Sequence, residues 1–322
     1  MSRCAWRITA IVAACVAPAA CSRDAGAPSQ PPRAHAESAA SAAASGSSAA
    51  PETAPAAAPA AAGADAPACE PLPFAASTPV PEASGAAWLE VDGKTMLVVA
   101  GDSGNHGAYG IVDPETGATT ETGALPLSSE ASDDIEGLAV RSGLLYGITS
   151  SGWIRVWRRV AKGFELVGTP YPIGPEGGDM VCRGGAINCK RNYEGLCLAP
   201  VPRGDCVGFA AAKADGQLYC LTDEGGKLVV HRDRAIAVTR RGALSDCAFG
   251  DDGTLWVGNN LFDLGNVYRV VHWDDPANAT VERVGALSIG FPEGIAARGD
   301  VIYRFSDTGV APSLMARFRC RR

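Results

Sequence analysis

From residue 84 to the C-terminus the apolar positions come in short alternating runs broken by glycine-bearing turns, and no stretch carries a helical period. One segment shows the unit plainly: apolar runs at 136–140, 144–149, 153–160 and 164–169, separated by turn residues at Arg141-Ser142-Gly143, Ser150-Ser151-Gly152 and Lys162-Gly163. This pattern predicts a four-stranded antiparallel meander. Each meander opens on a related tripeptide: Glu136-Gly137-Leu138, Glu194-Gly195-Leu196 and Glu293-Gly294-Ile295, with weaker copies at Ser84-Gly85-Ala86 and Ser245-Asp246-Cys247. A repeat of roughly 50 residues built only from strands predicts a β-propeller, one meander to a blade.

Five blades are expected, with six as the alternative. Blade one takes strands from 84, 95–100, 109–112 and 119–123; blade three takes 195–199, 207–212, 217–221 and 227–238; blade four takes 247–250, 254–258, 266–273 and 280–284. Blade five has only 293–297, 301–305 and 314–319 before the chain ends. A ring must hide its free edges, and the segment 70–77 ahead of blade one is available as the missing fourth strand. Cys69 and Cys320 flank that join, so a Cys69–Cys320 disulfide is expected to lock the ring and add a few kcal/mol by closing a very long loop. The stretch 171–192 could hide a sixth blade. Its Gly174-Pro175-Glu176-Gly177-Gly178 and Gly184-Gly185 are turn chemistry, however, and the close spacing of Cys182 and Cys189 suits a local disulfide, so it reads as a loop.

Composition changes the picture at the N-terminus. Arg3 and Arg7 precede an apolar run over 8–20 that ends in small residues and Cys21, the layout of an export signal too short to stay as a membrane span. A cysteine at that point resembles a bacterial lipobox, with Cys21 as the lipidated residue; Cys15, and plain secretion after an Ala-x-Ala site, are the alternatives. Of the 11 cysteines, lipidation at Cys21 leaves eight behind it, an even number suited to disulfides in an oxidising compartment. The pairing of Cys197, Cys206, Cys220 and Cys247 is left open. Residues 22–67 are almost wholly Ala, Pro, Ser and Gly, too poor in large apolar groups to fold. The expected organisation is a signal at 1–21, a tether at 22–67 and a propeller at 68–322, an exported monomer anchored to the cell envelope through its N-terminal lipid. A net charge of −7 without long charged runs disfavours nucleic acid as a partner and leaves an envelope protein or a small molecule.

Loops alternate between the two faces of a propeller, so entries to the innermost strands share a face with the turns between second and third strands. Glu136, Glu194, Glu293, Asp133, Asp134 and Asp246 fall at the entries; Asp102, Asp223 and Asp307 are placed at the turns, with Asn259 and Asn260 in blade four. Oxygen ligands around one channel mouth suit Ca²⁺. Glu136, Glu194, Glu293 and Asp246 are candidate binding residues, and Glu136 is the candidate catalytic carboxylate. A Glu before Gly can equally accept backbone N–H bonds from the next blade. The four histidines, one of them in the tether, are too few for a His-rich metal centre. Gly101-Asp102-Ser103-Gly104 reads as a turn rather than a nucleophile, and Arg203-Gly204-Asp205 and Arg298-Gly299-Asp300 read as hairpin turns. Trp88, Trp153, Trp157, Trp256 and Trp273 are expected to pack between blades.

The three copies 134–139, 192–197 and 291–296 resemble the propeller families called phytase-like (esterase-like activity of phytase) and SdiA-regulated. The resemblance implies an exported propeller with Ca²⁺-dependent hydrolase activity on phosphate or ester substrates. The Lys, Arg and Tyr cluster with which propeller phytases hold a polyphosphorylated sugar is missing beside the acidic loops. Glu136, Asn259 and Asp307 are similar in kind and blade position to the Glu, Asn and Asp that hold one Ca²⁺ in lactonases and gluconolactonases. Two functions follow: a binding or scaffolding module displayed on a lipid tether, or a Ca²⁺-dependent hydrolase of phosphate ester, carboxyl ester or lactone substrates.

Overall fold

A computed structural model describes residues 69–240, 242–261 and 265–320. The signal at 1–21, Cys21 and the tether at 22–67 lie outside the described residues. The described residues form an all-β structure without a helix: five antiparallel four-stranded blades arranged as a five-bladed propeller. Blade one is Ala83–Val91, Lys94–Gly101, Ala108–Val112 and Thr119–Ala124. Blade two is Ile135–Arg141, Leu144–Thr149, Trp153–Arg159 and Phe164–Leu166, and blade three is Tyr193–Leu198, Gly208–Ala212, Gln217–Glu224 and Lys227–Ala237. Blade four is Leu244–Phe249, Leu255–Asn259, Asn266–Val271 and Thr280–Ala286.

Blade five is completed from the other end of the chain. Phe291–Arg298, Val301–Asp307 and Ser313–Cys320 supply three strands, and Cys69–Leu72 pairs antiparallel with Ser313–Cys320 in the register Cys69 opposite Cys320, Leu72 opposite Arg317. A second short strand, Ser77–Thr78, extends the pairing at Leu314 and Ser313. The Cys69–Cys320 disulfide fastens this join across 251 residues of chain. The 171–192 stretch contributes no sixth blade. Its Tyr171–Pro172 pairs with the third strand of blade two, and Cys182–Cys189 closes the loop that follows. Cys197–Cys247 ties the innermost strands of blades three and four, and Cys206–Cys220 lies within blade three. Four disulfides are compatible with an extracytoplasmic protein.

The core is divided into wedges, one at each seam between blades. Ile111, Leu138 and Trp157 fill the first seam, Ile148, Tyr193 and Leu221 the second, and Phe209, Leu255 and Val257 the third. Trp256, Val267 and Ile302 fill the fourth, and Leu97, Val99 and Phe305 the fifth. The tryptophans serve these seams: Trp157 and Trp256 are fully buried, and the Trp88 indole N–H donates to the Ala297 carbonyl of blade five at 2.7 Å. Apolar burial therefore holds each blade to the next rather than to a common centre, which leaves the axis to be shaped by the innermost strands alone.

Those strands share one irregularity. The pairing of first with second strand slips at the same place in every blade, between Ala83 and Gly85, Ile135 and Gly137, Tyr193 and Gly195, Leu244 and Asp246, and Pro292 and Gly294. The residue skipped is Ser84, Glu136, Glu194, Ser245 or Glu293. A bulge of this kind re-aims a side chain that regular alternation would send into a seam. The following glycine marks where neighbouring strands touch: a Cβ on Gly137 would lie 2.3 Å from the Leu196 nitrogen, and one on Gly195 would lie 2.8 Å from the Asp246 Cα. Backbone fills the space a side chain would need, so the motif requires glycine for its lack of Cβ. The glycine level is the waist of the ring.

Candidate metal centre at the acidic mouth

The bulged residues and the turns between second and third strands meet on one face. Asp102, Ser150, Lys213 and Asn260 each follow directly on the second strand of blades one to four, while Asp307 ends that of blade five. The turn between the second and third strands of blade three was expected to bring Asp223 to the same mouth. Instead Asp223 lies near the end of the third strand, toward the opposite face, where it pairs with Arg141 at 2.8 Å. Lys213 occupies the mouth position, a residue that sequence reading did not single out although its place directly after the second strand marks it.

Around this mouth Glu136 and Asp134 are buried, and together with Asp102 they form a group whose oxygens lie within 4.8 Å of one another. Asp134 accepts hydrogen bonds from the Ser150 amide at 3.2 Å and from the Ser150 hydroxyl, both to Oδ2; its Oδ1 is buried with no partner. Asp102 accepts from the Ser103 amide, and its carboxylate lies beside that of Asp134. Glu136 as a residue is 3 % exposed, and among the described residues its carboxylate has no hydrogen-bond partner. Burial pushes Asp102 up to about 7, with the charges of Asp134 and Glu293 adding to the shift. Burial also raises Asp134, and it raises Glu136 well above the usual carboxylate range, helped by Glu194, Asp102 and Asp134. At neutral pH this group lacks a positive charge of its own.

The other side of the mouth has one. Lys213 Nζ donates to Glu194 Oε2 at 2.8 Å and lies 3.8 Å from Glu293 Oε1. Asn192 donates to Glu194 Oε1 at 2.7 Å, and Asn260 donates to Glu293 Oε1 at 3.2 Å. Burial still lifts Glu194 to about 8, against the lowering effect of Lys213, and it raises Glu293. Burial works against the Lys213 charge, yet Glu194 and Glu293 hold its pKa above the ordinary value.

Asp246 stands apart from both. Its Oδ1 accepts from the Cys247 amide at 2.7 Å and its Oδ2 from the Ile295 amide at 2.9 Å, stitching blade four to blade five at the waist. Fully buried Arg304 supplies a nearby charge and is itself lowered to about 10 by burial. Asn259 Oδ1 accepts from Asn266 within its own turn, and Asp307 Oδ1 from Gly309 within its own. The carboxylates drawn together with Glu136 are thus Asp102 and Asp134, and Asp307 lies on the Glu293 side.

The donor set fits a hard cation. Its carboxylate oxygens offer no nitrogen or sulfur, and oxygens around one Ca²⁺ at about 2.4 Å would lie at most about 4.8 Å apart. Three carboxylates leave coordination positions for water or for a ligand oxygen.

No family model matches the sequence, and no curated protein matches it. Among solved structures the chain is similar to three other propeller proteins. The PQQ-bound aldose sugar dehydrogenase of Streptomyces coelicolor is 15 % identical over 78 % of this chain and 97 % of that one, with a TM-score of 0.49. The glutaminyl cyclase of Myxococcus xanthus is 14 % identical over 79 % and 97 %, with a TM-score of 0.48. Virginiamycin B lyase of Staphylococcus aureus is 15 % identical over 72 % and 69 %, with a TM-score of 0.37. Likeness at this level carries no argument about this chain, whose fold rests on its own strand pairing and whose mouth rests on its own residues.

Proposed function

We propose that this protein is an exported propeller that binds Ca²⁺ at one mouth of its axis through Asp102, Asp134 and Glu136, and acts as a binding module of the cell envelope. In this reading residues 1–21 direct export, Cys21 carries the lipid and 22–67 form the tether. The observation that carries the proposal is Glu136: a buried carboxylate without a hydrogen bond, facing two further carboxylates, one of which also has a buried oxygen without a partner. Leaving a buried polar atom unpaired costs about 1–3 kcal/mol, and more for a charged one. A cation removes that cost at Asp134 Oδ1 and offsets the burial that disfavours charge on all three carboxylates. Calorimetric titration of the protein with Ca²⁺ should give one saturable site that Glu136→Gln abolishes; absence of binding by the unaltered protein overturns the proposal.

A hydrolase of phosphate esters, carboxyl esters or lactones is the second reading, and the phytase-like resemblance belongs with it. What favours it is the other half of the mouth, where Glu194 near 8 can exchange a proton at neutral pH beside the Lys213 ammonium. When bound, the ion would supply polarisation of a carbonyl or phosphoryl oxygen. Turnover of p-nitrophenyl esters, p-nitrophenyl phosphate or lactones that chelator abolishes would decide for the enzyme; saturable Ca²⁺ binding without turnover decides for the binding module.

A further inference from the structure

Below the glycine waist the same five strands continue toward the other face and diverge. The residues after each glycine are apolar and several are small, so the strands enclose a cavity of about 360 Å³ walled by Ala86, Leu138, Ala139, Leu196, Leu198 and Ala296. That volume is within the range of about 300–1,000 Å³ of small-molecule sites. The pocket lies on the propeller axis and takes residues from all five blades. It shares none with the acidic mouth, since the backbone contacts at Gly137 and Gly195 lie between them.

Its rim carries a single positive group. The Arg298 guanidinium sits 5.5 Å from the centre of the Trp88 ring, and Trp88 has already committed its N–H to the Ala297 carbonyl. The nearest carboxylate to Arg298 is Asp251, at 3.9 Å, beyond hydrogen-bond reach, and Asp251 Oδ1 is engaged by the Gly299 amide at 2.8 Å. Among the described residues Arg298 thus has an ion-pair contact with Asp251, also at the rim, but no hydrogen bond, while standing over an apolar pocket. A guanidinium matches a carboxylate through two parallel N–H donors, and the cation–π contact with Trp88 holds it at the rim.

The geometry points to a second binding site on this face, one that takes a small amphiphilic carboxylate, with its apolar body in the pocket and its carboxylate on Arg298. Neutral apolar molecules would gain the pocket without the Arg298 contact, and short carboxylates the Arg298 contact without the pocket. This site is independent of the cation site.

Calorimetric titration of the full chain with octanoate, 1-octanol and acetate, in the presence of chelator, tests this. Octanoate should bind saturably at one site, at least ten-fold tighter than 1-octanol, with acetate showing no binding. Arg298→Gln, on an exposed rim, should bring octanoate down to the level of 1-octanol without altering the latter. Ala248→Phe, which fills the pocket, should abolish both, with unchanged circular dichroism showing the fold intact. If that variant does not fold, Arg298→Gln with the octanol comparison decides alone. Failure of octanoate to bind, equal affinity for octanoate and octanol, or unchanged octanoate affinity in Arg298→Gln or in folded Ala248→Phe overturns the assignment.

Discussion

Glu136 and Glu194 open the same tripeptide, sit on the same bulge of neighbouring blades and are both buried, yet one carboxylate has no partner and the other holds an ammonium and an amide. The difference comes from the residue that follows the second strand: Lys213 in blade three faces Glu194 and Glu293, whereas Asp102 in blade one faces Glu136. A repeated acid thus serves two ends. Where the fold supplies its own cation, the acids are neutralised internally; where it supplies a third acid, the group is left to an external one. Duplication explains why the glutamates are present, and the turn residue decides what each can do.

The sharpest way to break the comparison is through what the copies share. Gly137→Val would force a side chain into the Leu196 backbone and should cost about 3 kcal/mol or more, or prevent folding, as read by urea unfolding. A mild effect would mean the waist is not closed by backbone contact. Next in size, Lys213→Met removes the internal cation from two buried acids. Breaking a buried pair costs about 3–5 kcal/mol; Lys213 is 31 % exposed and Glu194 can take a proton, so about 2–3 kcal/mol is expected. The same variant should acquire a second Ca²⁺ site, which calorimetry would register as added stoichiometry.

Glu136→Gln should act in the opposite sense on stability. It removes the cost of protonating a carboxyl that burial keeps from ionising, so the cation-free protein should gain about 1–2 kcal/mol and lose its stabilisation by Ca²⁺. For the unaltered protein, Ca²⁺ at a hundred times its Kd should add about 2.7 kcal/mol. The smallest effect is the pH profile. Asp102 and Glu194 are raised from 3.8 to about 7 and from 4.5 to about 8, so the folded form binds their protons more tightly than the unfolded form does. Their contribution is complete below about 4 and is lost as pH rises through 7 and 8. The cation-free Tm should fall across that window, and Ca²⁺ should restore it most strongly at the alkaline end. A Tm that stays level from pH 5 to 8 without cation would mean that the two acids are solvated.

Much of the fold was legible because a propeller writes its period into the chain. The alternation within 136–169 marks four strands, and the observed strands of blade two, Ile135–Arg141 to Phe164–Leu166, differ from it only at their ends. Closure was legible from Cys69 and Cys320 at the two ends of an incomplete blade. The candidate site was legible only in part. Glu136 stood out through repetition, and the shared face of entries and turns brought Asp102 and Asp134 into view; Asn259 and Asp307, matched by residue type, use their oxygens in their own turns. Asp223 was assigned to the wrong face because an Asp beside a Gly-Gly turn looks alike at either end of a blade.

The order of the tripeptide alone determined that blades two, three and five would present an acid, a glycine and an apolar residue in succession along the axis. Such an order is local, set by bulge, strand direction and the absence of a Cβ, and so it could be read one blade at a time. Which acids would meet a cation was decided only when five blades closed into a ring. Lys213 lies 19 residues from Glu194 and reaches Glu293 two blades away across the mouth, while Asp102 meets Glu136 from the blade before. Charges interact over a few ångströms of space regardless of the length of chain between them, and only ring closure sets those distances.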